Sequence, residues 1–385
     1  MGTNHKTNKK RLFGKQGGVR ADRKGVLICG AYGMGNSGDD AILEGILAQL
    51  RSIDASLEIT VLSRSPRETR ERFGVQSFHM FNILRFCHRV KQTKLFISGG
   101  GSLIQNITSR RSLWYYLYTI RTAKKLGAHV MMYGCGIGPI VRRQDEGRIT
   151  RTLNECVDVI TLREERSLLE LERLAVSRPR IAVSSDPAWG VPPAGDEEVD
   201  VFLKENGLDP QGRYICFCLR EWKTVPSKAQ LLASAADYAA RELKLTPVFV
   251  LINPRQDGEI TQTVRSLMKE KSALISRKGG TAAIIGVIAR MKTVVSMRLH
   301  GLIFAASGDV PVVGICFDPK VEAFFDLVGE RRCVSLEEMD LQGLCEMIKS
   351  AAETPKTEKN GNRIIERLKV GTKLNIELAR ELLEN

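Results

Sequence analysis

The sequence predicts an α/β protein built from two Rossmann-like halves that face each other across a cleft. Three observations predict it. From Gly25 onward, short β-rich apolar runs alternate with amphipathic helical stretches, the signature of parallel strands joined by crossover helices. That alternation is broken once, by the turn-forming run Asp186-Pro187-Ala188-Trp189-Gly190-Val191-Pro192-Pro193-Ala194-Gly195, and then resumes. At 385 residues the chain is also longer than one domain of conventional size.

In the first half, strands are expected at Gly25–Ala31, Leu57–Ser63, Lys94–Ser98, Ala128–Gly134, Val157–Leu162 and Arg180–Val183. Each is a short apolar run bounded by polar residues or glycine. Helices are expected near Asp39–Arg51, Leu113–Leu126 and Arg142–Glu155, where apolar residues recur at helical spacing. The second half repeats the theme. Strands are expected at Tyr214–Leu219, Thr246–Ile252, Ala273–Ile275, Thr293–Ser296 and Val310–Ile315, and helices near Lys228–Leu243, Glu259–Glu270 and Ala282–Met291. A closing helix from Ile364 to Leu383 places Ile364, Leu368, Leu374, Leu378 and Leu382 near one face, which would pack back across a domain. The expected division is a basic tail at 1–24, domains at 25–190 and 213–352 joined by a linker at 191–212, and the closing helix at 353–385.

Composition narrows the partners. A chain with 43% hydrophobic and 26% charged residues folds as an ordinary globular protein, but a net charge of +14 attracts polyanions, anionic lipid headgroups or phosphorylated substrates. Part of that charge lies in the tail, from Lys6 to Lys24. Aromatics are only 6% and no nucleic-acid recognition module is present, so nucleic acid is not the expected partner. No apolar run is long enough to span a membrane, and the first residues lack the apolar block of a signal peptide, so a cytoplasmic location is expected. The nine cysteines show no Cys-x-x-Cys pair and read as reduced, packed thiols. His5, His79, His88 and His129 have neither mutual ligand spacing nor cysteine partners, so no metal site is expected.

Four segments carry candidate chemistry. The first, Gly30-Ala31-Tyr32-Gly33-Met34-Gly35-Asn36-Ser37-Gly38-Asp39-Asp40-Ala41, contains a G-x-G-x-x-G. Two carboxylates at the start of the following helix would repel a pyrophosphate, which argues against a dinucleotide. Asn36 and Asp39 fit hydrogen bonds to the hydroxyls of an acceptor sugar; Asp39 fits a helix cap equally well. The second, Ser98-Gly99-Gly100-Gly101-Ser102-Leu103, follows an apolar strand. Its glycines let backbone approach a ligand, which makes Gly100, Gly101 and Ser102 candidate ligand contacts; a tight strand-to-helix turn is the alternative. The third is Gly136-Ile137-Gly138-Pro139 with Arg142 and Arg143 after it, and Arg163 at the end of the next strand. These guanidinium groups suit a phosphate or carboxylate.

The fourth segment is the most informative. Ser296-Met297-Arg298-Leu299-His300-Gly301 joins a strand to a helix, so His300 sits at a helix N-terminus beside Arg298, where an anion is favoured and an imidazole can move protons near neutral pH. Phe317-Asp318-Pro319-Lys320 follows the next strand and puts Lys320 on a neighbouring loop.

These motifs, in this order, resemble the polysaccharide pyruvyl transferases, particularly the CsaB type. The resemblance runs from about Gly25 to about Gly329 and is carried by Tyr32–Ala41, S-G-G-G-S-L, G-x-G-P, Ser185-Asp186-Pro187-Ala188, Leu219-Arg220-Glu221-Trp222, Arg298-Leu299-His300 and Asp318-Pro319-Lys320. It implies a GT-B arrangement and phosphoenolpyruvate as donor substrate, with no cofactor. It also implies catalytic roles for His300, Arg298 and Lys320, and a donor contact from Arg142 or Arg143. By the same resemblance the acceptor is an N-acetylmannosamine-type sugar, lipid-linked at the anionic inner membrane face. Glu221 stands where the family pattern leads one to expect proline, and Asn253-Pro254-Arg255-Gln256-Asp257 replaces a histidine-containing stretch; both departures bear on the acceptor. Two other readings are open: a nucleotide-sugar glycosyltransferase, since the same cleft serves that chemistry, and a non-catalytic polyanion-binding protein.

Overall fold

A computed structural model describes residues 23–107, 109–276, 280–355 and 363–384. All but the last two residues of the expected basic tail lie outside them. The first sheet holds β1 (Val26–Cys29), β2 (Ile59–Ser63), β3 (Gln76–His79), β4 (Leu95–Ile104), β5 (His129–Ile137), β6 (Val159–Leu162) and β7 (Arg180–Val183). The connecting helices are α1 (Ser37–Ile53), α2 (Pro66–Phe73), α3 (Ile83–Gln92), α4 (Arg110–Lys125), α5 (Glu146–Cys156) and α6 (Glu165–Arg173), followed by α7 (Asp196–Glu205) within the stretch expected as a linker. The second sheet holds β8 (Tyr214–Cys218), β9 (Thr246–Val250), β10 (Ala273–Ile275), β11 (Thr293–Ser296), β12 (Val312–Cys316) and β13 (Cys333–Ser335). Its helices are α8 (Val225–Arg241), α9 (Pro254–Leu267), α10 (Gly280–Arg290), α11 (Leu299–Ser307), α12 (Pro319–Val328) and α13 (Leu341–Glu353), and the chain ends in α14 (Arg363–Gly371) and α15 (Lys373–Glu384).

The spatial orders are β3-β2-β1-β4-β5-β6-β7 and β10-β9-β8-β11-β12-β13, with every ladder parallel. Strand order reverses between β1 and β4 in one sheet and between β8 and β11 in the other. Each reversal opens a crevice at the strands' C-terminal ends, where open α/β sheets take their ligands. The central strands Val26–Cys29 and Tyr214–Cys218 are buried along their whole length, as strands covered on both faces must be, and so read as continuous apolar runs.

Helix α1 begins where Asn36 caps it by accepting from Gly38 N–H, and it buries Ile42, Leu43, Ile46, Leu47 and Leu50. Burying each of these side chains contributes roughly 1.5–3 kcal/mol. Their cluster runs through Trp189 into the second half, where Trp189 stacks on Phe324 with ring centroids 6.3 Å apart. Backbone also ties the halves directly, since Ser37 N–H donates to the Ile252 carbonyl at 2.8 Å.

Three expectations are corrected. Ser98–Leu103 is not a turn: β4 continues through it to Ile104, paired with β5 across a register shift after Gly101. Gly100 and Gly101 take φ of +53° and +68°, and a Cβ on Gly100 would meet Ile42 Cγ2 at 1.9 Å, so only glycine lets the strand run this close to α1. The closing helix is two helices, broken at Thr372. Ile364 is exposed and Ile365 buried in its place, because the break resets the helical phase. The expected helix from Arg142 begins instead with a short 3-10 turn at Arg143–Asp145, and α5 follows.

Helix α15 returns to the first half, where Asn375 is fully buried, donating to the Ser185 carbonyl at 3.0 Å and accepting from Ser184 Oγ at 2.7 Å. Among the described residues, no helix is long and apolar enough to cross a membrane.

Candidate active site

Loops at the C-terminal ends of both sheets meet around a cavity of 150 Å³. The first half contributes Asn36, Asp39, Gly101, Ser102 and Arg163, and the second contributes Arg220, Arg298, His300, Asp318 and Lys320. Three helices, α1, α11 and α12, start at this cavity, so the positive ends of three backbone dipoles converge on it.

The loop from β1 is held by Tyr32, whose buried hydroxyl donates to the Gly99 carbonyl at 3.1 Å. Asn36 Nδ2 then donates to Asp39 Oδ2 at 2.7 Å. Burial and the adjacent Asp40 push the Asp39 carboxyl up to about 7, against the pull of Asn36 and Arg298. Such a group sits near half-ionised at neutral pH.

Opposite stands His300 on the first turn of α11. A Cβ placed on Gly38 would lie 2.2 Å from its Nδ1, so the imidazole packs directly on the start of α1. Its Nε2 lies 3.8 Å from Asp186 Oδ2 and is buried with no hydrogen-bond partner among the described residues. Burial lowers the His300 pKa to about 4. Asp186 pulls it upward, while Arg163, Arg298 and Lys320 add to the lowering. The imidazole is therefore neutral at pH 7.

Arg298 caps α11 and is almost fully buried. Its Nη2 donates to Gln256 Oε1 at 3.1 Å and pairs with Asp257, while its Nε is buried with no hydrogen-bond partner among the described residues. Leaving a buried polar nitrogen unpaired costs about 1–3 kcal/mol. Two such nitrogens, His300 Nε2 and Arg298 Nε, belong to residues lining one cavity, a concentration expected where a ligand completes the bonding.

Among the described residues Lys320 Nζ has only a long ion pair, 3.9 Å from Asp318 Oδ2; burial lowers its pKa, against the opposing pull of Asp318. Arg220 has no hydrogen bond or ion pair from its guanidinium among the described residues. Instead it lies over Phe317, 5.1 Å from the ring centroid, and burial followed by the nearby Arg298 lowers its pKa.

The predicted residues divide accordingly. His300, Arg298, Lys320, Asn36, Asp39, Gly101, Ser102 and Arg163 meet at the cavity, whereas Gly100 faces Ile42. Arg163 arrives with its guanidinium engaged: Nε to Glu164 at 2.7 Å, Nη1 to Asp186 at 2.9 Å and Nη2 to Ser102 Oγ at 3.2 Å. Burial works against its charge, but Glu164 and Asp186 outweigh that and raise its pKa. Arg143 lines an adjoining cavity of 380 Å³ that shares Ser102 and Lys320 with the first, while Arg142 lines neither and anchors its backbone on Asn106. The reading of single residues passed over Arg220, Asp186 and Asp257. The first two stand inside motifs already noted, and Asp257 ends the stretch noted as a departure from the family pattern, where nothing local marks it as the partner of Arg298.

Two Rossmann-type sheets facing each other across a cationic, imidazole-bearing cleft make the GT-B fold. Solved structures agree on the fold. UDP-GlcNAc 2-epimerase from Methanocaldococcus jannaschii superposes with a TM-score of 0.64 at 12% identity, over 92% of this chain and 99% of that one. Anabaena HepE in complex with UDP and glucose gives 0.60 at 11% identity, over 94% and 100%. A glycosyltransferase from Rickettsia africae gives 0.57 at 11%, over 94% and 99%. At these identities the likeness is one of fold. A search of curated proteins finds no match. The polysaccharide pyruvyl transferase family model matches residues 36–316, and the chain belongs to that family. It is therefore a transferase of polysaccharide pyruvylation.

Proposed function

We propose that the enzyme transfers the enolpyruvyl group of phosphoenolpyruvate to two hydroxyls of one sugar, leaving a pyruvate ketal and free phosphate. The observation that carries this reading is a cavity lined by His300, Arg298, Lys320 and Arg220 at which three helix N-termini converge. Such a site suits a small, multiply charged anion that also needs protons moved.

In this reading Arg298, Lys320 and Arg220 hold the donor's phosphate and carboxylate, and Arg143 reaches in from the first half. Arg163, saturated by carboxylates, positions Asp186 and Ser102. Asn36, Asp39, Gly101 and Ser102 face the acceptor. The first sugar oxygen bonds to C2 as its proton leaves to Asp39, and C3 gains a proton, consuming the double bond. The bond from C2 to the phosphate oxygen then breaks, with the electron pair leaving on phosphate. The second hydroxyl adds at C2 and its proton departs with the phosphate. His300, neutral in the empty site, takes up a proton from solvent once the donor's anionic groups lie beside it; as an imidazolium it gives that proton to C3, and the proton left on Asp39 returns to solvent. The chemistry as written calls on no cofactor.

The acceptor in this proposal is an N-acetylmannosamine-type sugar of a cell-wall polysaccharide or its lipid-linked precursor, met at the inner face of an anionic membrane. Thermal unfolding with added ligand tests the donor. Protection by phosphoenolpyruvate, lost in Arg220→Ala, supports the reading, and protection by a nucleotide-sugar alone overturns it in favour of glycosyl transfer.

A further inference from the structure

We propose that the outward face of α3 and α4 seats this enzyme on an anionic lipid bilayer. The inference rests on the membrane-surface reading above but not on the ketal chemistry. Between Arg72 and Gln144 the chain carries eleven Lys and Arg residues and no Asp or Glu, so much of the excess charge is concentrated in the segment that forms α3 and α4. The two helices pack side by side, and their buried residues join one cluster against the same side of the first sheet.

What they turn outward is both cationic and apolar. On α4, Arg111, Trp114, Tyr118, Arg121 and Lys125 recur three and four residues apart, and all are exposed, forming one stripe with two aromatic residues between basic ones. On α3, Leu84, His88 and Lys91 follow the same spacing, and Leu84 is 86% exposed, with Phe81 at 54% just before the helix. The two stripes are joined by Phe81, which meets Tyr115 of α4 edge-on at 5.5 Å. Arg110 and Arg148 lie 4.7 and 5.1 Å from the centroid of Trp114.

Tryptophan and tyrosine flanked by arginine and lysine are the residues that settle at a bilayer's headgroup level, where the rings enter the acyl boundary and the cations meet phosphate. An extended polyanion such as nucleic acid would engage the cations but gain nothing from an exposed leucine and phenylalanine. The face also adjoins the cleft. Arg110, beside Trp114, pairs with Asp145 at 2.9 Å, and Asp145 accepts from Asn106, which fixes the backbone next to Arg143 at the larger cavity. A lipid-linked headgroup held on the bilayer would thus lie near the mouth of that cavity.

The experiment is co-sedimentation of the full chain with phosphatidylcholine vesicles, with and without phosphatidylglycerol, for wild type, Leu84→Asp and the pair Arg111→Gln/Arg121→Gln. All three substituted positions are exposed, so melting temperatures should be unchanged. The proposal expects binding only to the anionic vesicles, weakened about thirtyfold by the paired substitution and at least as strongly by Leu84→Asp. If anionic vesicles bind wild type and both variants equally, the site lies elsewhere and this face is refuted while the membrane reading stands. If wild type binds no vesicle, the membrane reading itself fails. If duplex DNA displaces the vesicles and binds Leu84→Asp as well as wild type, the face serves nucleic acid instead.

Discussion

Gly38 and His300 occupy adjoining space across the cleft: a methyl group on Gly38 would stand 2.2 Å from the imidazole Nδ1. The first residues of one half's helix are thus the wall against which the other half's histidine rests. Gly38 lies inside α1 with ordinary helical backbone, so alanine suits its conformation and even favours the helix. Gly38→Ala should therefore leave the melting temperature within a few degrees of wild type while displacing the imidazole. Steady-state phosphate release should fall on the order of 100-fold, the usual penalty for a misplacement of about 1 Å. Normal turnover would show that the contact has no bearing on chemistry.

Asp39 and His300 are displaced from their ordinary pKa values in opposite directions, and their effects on stability have opposite signs. Asp39 is raised to about 7, so the unfolded chain ionises it first, and the folded state is penalised progressively as pH rises from 3.8 to about 7. His300 is lowered to about 4, so the unfolded chain protonates it first, and stability is lost as pH falls from 6.5 to about 4. Each unit of displacement is worth roughly 1.4 kcal/mol. The melting-temperature gain of Asp39→Asn over wild type should grow between pH 4 and 7 and flatten above. That of His300→Gln should instead grow toward acid pH. A pH-independent difference in either case would contradict the assignment.

Arg163 and Asp186 are both buried and bonded to each other, so removing one strands the other. Arg163→Ala should destabilise the protein by about 3–5 kcal/mol, while Arg163→Met with Asp186→Asn should recover most of the loss. Urea denaturation curves distinguish the two outcomes. A small effect of the single substitution would indicate that solvent reaches Asp186.

Arg220 and Arg298 differ in what they leave behind. Arg298→Ala strands the fully buried Asp257 and should lower stability together with activity. Arg220 pairs with no carboxylate among the described residues, so Arg220→Ala should raise the KM for phosphoenolpyruvate about tenfold or more with little change in melting temperature. Equal losses of stability in both variants would be inconsistent with this division.

The sequence made the sheets legible because central parallel strands such as Val26–Cys29 and Tyr214–Cys218 are uninterrupted apolar runs. It hid β3, whose residues Gln76–His79 are mixed in polarity, and β13, only three residues long, because edge strands are incompletely covered and need no such run. Glycine ambiguity hid the extent of β4: three consecutive glycines read as a turn, yet they are strand residues, Gly100 held to glycine by Ile42 and Gly101 by its positive φ. In the site, residues at strand ends could be placed on the cleft from order alone, as His300 and Lys320 were. Whether an arginine points at ligand or at a carboxylate depends on partners distant in sequence. Asp186, 23 residues from Arg163, and Asp257, 41 from Arg298, decide that question, and neither pairing leaves a local pattern.

Incubation with phosphoenolpyruvate and a candidate saccharide acceptor, followed by mass analysis of the saccharide and assay of phosphate, bears most directly on the proposed reaction. The expected result is one pyruvyl ketal formed per phosphate released, with both products lost in a correctly folded His300→Ala variant. Ketal formation at the wild-type rate in that variant, or transfer of sugar from a nucleotide donor with phosphoenolpyruvate left intact, would contradict it.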